Sequence, residues 1–287
     1  MTWISTAAGA LLVVLTLRDI FHTLLHPSGE GFLSKVLSRS LWRVAARLGS
    51  RARDVAGPAL LVLVIVVWTV LVVLGCALVY LPHMDDGFVF SGSIVPARRN
   101  DLLDAVYLSA VVTGTLGFGD VVARDGWLRI LTAAQGLVGF ALLTAALSWV
   151  MQAQQVLGRR RTLARYLQAH RRGVSRSAVA PEPTSLVLDR VAHDLAGAHV
   201  DLGQSASTYY FHERDPGSAL AVALPYAAEL AREGRASADP DVRDSAAVLE
   251  VALDDFADLL GTRFVAPAPR ADVLDAYRHH QGYDRLD

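Results

Sequence analysis

The chain has 287 residues, is 53% hydrophobic and 19% charged, and has a mean hydropathy of +0.34. That is too apolar for an ordinary soluble protein and too polar for a bundle of spans alone, so a membrane part joined to a polar part is expected. The net charge of −1 hides an asymmetry, because residues 1–180 carry eighteen basic and nine acidic groups and residues 181–287 nine and nineteen, giving +9 and −10. Cys76 is the only cysteine and lies in an apolar run, which excludes a disulfide framework within one chain.

Residues 3–25 form the first apolar segment. No basic region precedes it, so it does not read as a signal peptide. At ~1.5 Å per residue it is long enough to cross a ~30 Å hydrocarbon core. Arg18 and Asp19 interrupt it. They read as a structural pair near the inner end of the span, with His22 one turn on; the alternative is a functional intramembrane pair. Lys35, Arg39, Arg43, Arg47 and Arg51 then follow at four-residue steps, beside Phe32, Val36, Leu37, Leu41, Trp42, Val44 and Leu48. Each step overshoots a helical turn by about 40°. The segment reads as a basic amphipathic helix lying on an anionic inner leaflet. Its arginines fall outside any span, which speaks against voltage sensing.

Residues 57–81 are uncharged and form the clearest span. A short amphipathic stretch, 101–112, with Asn100 or Asp101 as its N-cap, leads into Thr115-Leu116-Gly117-Phe118-Gly119-Asp120 on a short hairpin. A third span follows over 130–151. Tyr80, Trp127 and Trp149 sit near predicted span ends, where amphipathic aromatics prefer to lie. Basic residues concentrate in 26–56 and after 158, so the positive-inside rule places those segments in the cytoplasm and the N-terminus and hexapeptide outside. Beyond the third span the helix continues, and 173–184, with Gly173, Pro181 and Pro183, reads as a linker. Helical patterns follow at 184–198, 217–233 (kinked at Pro225) and 240–260, where Leu249, Leu253, Phe256 and Leu260 share a face. No Gly-x-Gly-x-x-Gly unit occurs. His193, Asp194 and His199 read as surface residues rather than metal ligands. The acidic tail is expected to enrich cations below a pore or to latch onto the basic helix.

Alone, the hexapeptide is a weak signal. Between two spans it is specific, because irregular backbone at membrane depth is tolerated only where it is buried in protein or lines a cavity. Gly117 and Gly119 alternate, and glycine accepts φ > 0 without a Cβ clash. That freedom lets successive carbonyls turn to one axis, where rings of them replace the hydration shell of a cation. Thr115, Leu116, Gly117 and Phe118 would offer carbonyls, with the Thr115 hydroxyl as the innermost ring and the Leu116 and Phe118 side chains packing outward. The stretch 101–112 would be a pore helix whose C-terminal dipole end favours a cation. One loop supplies a quarter of a ring, so four chains are needed.

Residues 101–151 resemble the pore module of the potassium-channel family, whose filter usually reads Thr-Val-Gly-Tyr-Gly-Asp; residues 140–149, FALLTAALSW, also resemble inner helices of simple bacterial members. Phe118 replaces the usual Tyr and lacks its hydroxyl, Gly114 stands where Thr is common, and Val111 where some bacterial members carry a carboxylate. The resemblance implies an all-α membrane protein with a two-helix-plus-pore-loop module, an additional N-terminal transmembrane helix and a helical cytoplasmic domain. The expected domains are an N-terminal span (1–27), a basic interfacial helix (28–56), the pore module (57–152), a basic extension and linker (153–183) and an acidic helical domain (184–287). The implied function is passive K⁺ conduction by a homotetramer in the plasma membrane, with no enzymatic turnover, no cofactor, no metal beyond permeant K⁺ and no nucleic-acid partner. The implied site comprises the filter residues Thr115, Leu116, Gly117, Phe118, Gly119 and Asp120. Tyr107, Val111 and Thr113 join it from the pore helix, and Gly136, Gly139, Phe140, Thr144 and Ser148 line the cavity or act as a hinge. The alternatives are a weakly selective cation channel, a potassium-transporter-like subunit, or a membrane-anchored signalling protein acting through its tail. Transporters of that kind carry four loops in one chain; this chain has one.

Overall fold

A computed structural model describes residues 2–24, 31–91, 100–176 and 182–283. The protein is an all-helical membrane protein in which Trp3–Leu24, Ser50–His83 and Gly126–Arg176 are long and apolar enough to cross a membrane. The helices are α1 (Thr2–Leu24), α2 (Phe32–Leu48), α3 (Ser50–Tyr80), α4 (Asp101–Thr113), α5 (Gly126–Arg176), α6 (Ser185–Gln204), α7 (Leu220–Arg235), α8 (Pro240–Arg263) and α9 (Arg270–His280). Two short strands, β1 (Phe88–Phe90) and β2 (Val121–Ala123), add a small antiparallel ladder with Phe88 opposite Ala123 and Phe90 opposite Val121. The chain divides into two compact units.

The first unit holds described residues 2–24, 31–37, 61–91 and 100–151. Helices α1 and α3 cross glycine to glycine. A Cβ on Gly9 would strike the Gly75 carbonyl, and one on Gly75 would stand 3.0 Å from the Gly9 carbonyl and 2.7 Å from Val13 Cγ2. Without a hydrophobic force between helices in lipid, such close backbone approach is a main source of packing energy. Val72, Tyr80, Met84, Phe88, Leu108 and Leu128 form the core behind α4.

The expected Arg18–Asp19 pair does not form. Asp19 is buried, and its carboxylate accepts from Leu33 N (2.8 Å), Ser34 Oγ (3.1 Å) and Trp68 Nε1 (2.9 Å). The first N–H groups of a helix lack intrahelical acceptors, and a carboxylate is favoured beside them. Asp19 therefore caps α2 from α1, a better use of a buried charge than a neighbour pointing elsewhere. Thr23 Oγ1 completes the turn, accepting from Gly31 N (3.0 Å) and bonding Ser34 Oγ (3.0 Å).

The second unit holds described residues 38–60, 152–176 and 182–283. The basic segment differs here from the expected single stripe. Helix α2 stops at Leu48, Gly49 takes φ 101°, and Arg51 and Arg53 begin α3. Trp42 does not face a leaflet: it is 2% exposed, with ring contacts of 5.8 Å to both Tyr210 and His280. Phe32, Val36, Val44 and Leu48 remain exposed.

Helix α8 packs along α6 and α7, and Leu249, Leu253, Phe256 and Leu260 are all buried in that core. Helix α5 continues through Gly173 to Arg176, so the first four residues of the expected linker are helical; residues 177–181 lie outside the described residues. Pro225 sits inside α7, and α9 is an element with too little apolar periodicity to be foreseen. The carboxylates of the acidic tail pair with the arginines of α5, while the tail meets α2 through the rings around Trp42. Arg159 bonds Asp201 (2.5 Å), Arg161 bonds Glu213 (2.8 Å) and Arg165 bonds Asp215 (3.0 Å). Arg160 is buried and donates to the carbonyls of Thr208 (3.0 Å) and Phe211 (3.0 Å). Asp54, beside α2, is held by Arg214 (2.7 Å). Among the described residues no group of three or more His, Cys, Asp or Glu is placed to hold a metal; His193 and His199 line a groove between α6 and α8 instead.

Candidate functional site

The loop 114–120 begins at the end of a helix that is fixed at both ends. Asn100 caps α4, its Oδ1 accepting from Leu102 N (3.1 Å) and Leu103 N (3.2 Å). Halfway along, Ser109 Oγ donates to the Val73 carbonyl (2.7 Å) of α3. At the far end Gly114 N bonds Ala110 O (2.8 Å), Thr115 N bonds Val112 O (3.0 Å) and Leu116 N bonds Val111 O (2.9 Å). The last two are the paired bonds of a Schellman motif, which places its C′ residue in the left-handed region and usually uses glycine there. Here that residue is Thr115, with φ 56°.

Gly117 (φ 57°) and Gly119 (φ 76°) are the next left-handed residues. Handedness therefore reverses at every second residue from 115 to 119. An extended strand sends successive carbonyls to opposite sides, and a reversal at alternate residues works against that alternation.

The far end of the loop is tied down through Asp120. Its Oδ2 accepts from Tyr107 Oη (2.6 Å), its Oδ1 from Val121 N (3.1 Å), and its carbonyl from Ser91 N (2.8 Å). Leu116 and Phe118 are 60% and 64% exposed in the single chain.

The α4 helix is also held from α5. Gln135 is buried, and its Nε2 donates to Ser109 O (3.0 Å), Ser109 Oγ (2.7 Å) and Thr113 Oγ1 (2.7 Å). Its Oε1 accepts from Tyr80 Oη (2.5 Å). One amide thereby joins α3, α4 and α5 directly behind the loop. Sequence reasoning passed over Gln135, Tyr107 as a partner of Asp120, and the left-handed Thr115. A signal for Gln135 existed: it is the one amide among residues 130–151, and polar groups in spans join helices.

Val111 and Thr113 are buried on α4, and Thr113 is the residue Gln135 holds. Gly139 lies directly on α4, where an added Cβ would meet the Thr113 carbonyl; Gly136 has only an ordinary contact, 3.8 Å from Val112 O. Both sit within the continuous helix α5. Phe140, Thr144 and Ser148 are exposed along α5, with the Thr144 and Ser148 hydroxyls turned back onto the carbonyls of Phe140 (3.0 Å) and Thr144 (3.0 Å).

Residues 60–155 match the family model described as "Ion channel". The match takes in most of α3, all of α4 and the loop, and the first part of α5, and leaves α1, α2 and α6–α9 outside it. A curated relative, the uncharacterized membrane protein YdjJ of Bacillus subtilis (strain 168), is 29% identical over 163 residues, which is 55% of this chain and 46% of the relative. The chain thus spans about half the length of that relative. No solved structure matches it.

Proposed function

We propose that four copies of this chain form a K⁺-selective channel that conducts passively, with Thr115–Asp120 as its selectivity filter. The observation that carries this reading is the left-handed backbone at Thr115, Gly117 and Gly119, directly after a capped helix and between two spans. Carbonyls gathered by such a pattern substitute for the water around a cation. The match of residues 60–155 to an ion-channel family supports it.

Exposure of the loop supports the oligomer. Residues 114–119 are all exposed in one chain, and irregular backbone at membrane depth needs protein or a lined cavity around it. In the proposed assembly Leu116 and Phe118 pack against neighbouring copies, and Phe140, Thr144 and Ser148 face the inner cavity. Gly139 serves close packing of α5 on α4. The arginine and lysine distribution orients the chain with the filter outside and α6–α9 in the cytoplasm.

The test is ion flux through full-length protein reconstituted in liposomes, across a range of voltage and pH. K⁺ should pass well above Na⁺. Equal fluxes would reject selectivity, and no flux under any condition would reject conduction.

A further inference from the structure

The first unit holds a cavity of about 560 Å³ that the pore does not use. Leu12, Leu15, Leu33 and Leu71 supply apolar wall, and Arg18 and His22 belong to the same lining. Along α1 these residues run from apolar to charged, ~15 Å from Leu12 to His22 at the helical rise. Arg18 lies six residues before the end of α1 at Leu24, ~9 Å inside it.

The neighbouring carboxylate does not serve Arg18. Both oxygens of Asp19 are occupied by Leu33 N, Ser34 Oγ and Trp68 Nε1. Arg18 is exposed, and among the described residues its guanidinium makes no hydrogen bond or ion pair. A guanidinium at that depth, with five donors and no acceptor, is costly unless an anion reaches it. Phosphate oxygens match its planar fork.

We infer that this cavity binds one anionic phospholipid, its acyl chain along Leu12, Leu15, Leu33 and Leu71 and its phosphodiester on Arg18. The shared recognition chemistry is a phosphate group. The apolar walls, lying on a membrane span, favour a lipid over free phosphate. This inference is independent of what the pore passes.

The test is lipid retention by the full-length protein in native mass spectrometry, after exchange into detergent with phosphatidylglycerol or phosphatidylcholine. Phosphatidylglycerol should be retained about tenfold more strongly, because both lipids offer Arg18 a phosphodiester but the choline ammonium of phosphatidylcholine cancels its negative charge. Arg18→Gln should erase that preference, while Arg39→Gln on α2 leaves it intact. A photoreactive phosphatidylglycerol bound to the unsubstituted protein should label peptides from 12–33 and around Leu71, so the outcome does not hang on the variant folding. Equal retention of the two lipids, unchanged preference in Arg18→Gln, or labelling spread evenly over all three spans would overturn the inference. Complete displacement of the lipid by millimolar inorganic phosphate would reject the lipid as occupant in favour of a free anion.

Discussion

Replacing Gln135 by Leu keeps nearly the same volume and removes one amide from the junction behind the loop. The Tyr80 and Thr113 hydroxyls lose their partner in a buried setting, whereas Ser109 Oγ keeps its bond to the Val73 carbonyl. Each stranded group costs about 1–3 kcal/mol. Hydrogen bonds between membrane helices are worth less on average, which moves the sum of two toward its lower end, ~2–3 kcal/mol per chain. At about 2–4 °C per kcal/mol for a domain of this size, the unfolding midpoint in detergent should fall by roughly 5–10 °C. Tyr80→Phe removes the hydroxyl that Gln135 would have stranded. In a double-mutant cycle the Tyr80→Phe and Gln135→Leu effects should therefore be less than additive by about 1 kcal/mol. A midpoint within a degree of the unsubstituted protein, or strictly additive effects, would refute the claim that this amide joins the three helices.

Gly117→Ala forces a Cβ into φ 57°, costing about 1–2 kcal/mol per chain and four times that in the proposed tetramer, so K⁺ flux in liposomes should be abolished; a conducting variant would count against the filter assignment. Tyr107→Phe removes the bond to Asp120 at an exposed site, so stability should change by less than about 1 kcal/mol while K⁺ flux runs down faster; an unchanged time course would show that the tie is idle. Burial pushes His212 and His280 below the ordinary imidazole range. The unfolded chain takes up these protons near pH ~6.5 and the folded one only at lower pH. The second unit should therefore keep its full stability above about pH 6.5 and lose it as pH falls toward the folded values, read as a falling urea midpoint. A midpoint that holds or rises on acidification would contradict this.

What was legible in the chain was local. The spans follow from apolar length, the α4 cap from Asn100 or Asp101 ahead of an amphipathic stretch (the structure uses Asn100), and the α8 face from the spacing of Leu249, Leu253, Phe256 and Leu260. The loop drew notice because alternate glycines are a local signal, and two of its three left-handed residues are those glycines. What was not legible depends on distant partners. Asp19 looked like half of an ion pair because Arg18 adjoins it, yet its donors include Trp68, 49 residues on. Read in sequence, the α5 arginines only mark a cytoplasmic segment, and the carboxylates that neutralise three of them lie 42 to 52 residues later in the chain. Ser34, Ser38 and Trp42 are the buried face of α2, a face that polarity alone would assign to water. Gly9 and Gly75 are ordinary in composition and acquire meaning only when two spans cross.

Thr115 is where local rule and proposed chemistry conflict most sharply. A Schellman motif wants glycine at C′, and a β-branched residue at φ 56° is uncommon there. The three amide bonds back to Ala110, Val112 and Val111 hold Thr115 in place and satisfy the last carbonyls of α4 at the same time. Strain of this kind persists where the surroundings over-determine it and tends to mark function. Thr115→Gly should relieve about 1–2 kcal/mol of left-handed strain and return about 0.5–1 kcal/mol as unfolded-state entropy. Net stability should therefore hold or rise by up to about 1 kcal/mol per chain. In the proposed filter the same change deletes the innermost ring of hydroxyls, so K⁺ over Na⁺ selectivity should fall in the flux assay. Thr115→Ser keeps the hydroxyl and eases the branching, and should conduct with selectivity intact. A glycine variant as selective as the unsubstituted protein would leave the threonine without a functional reason to be there.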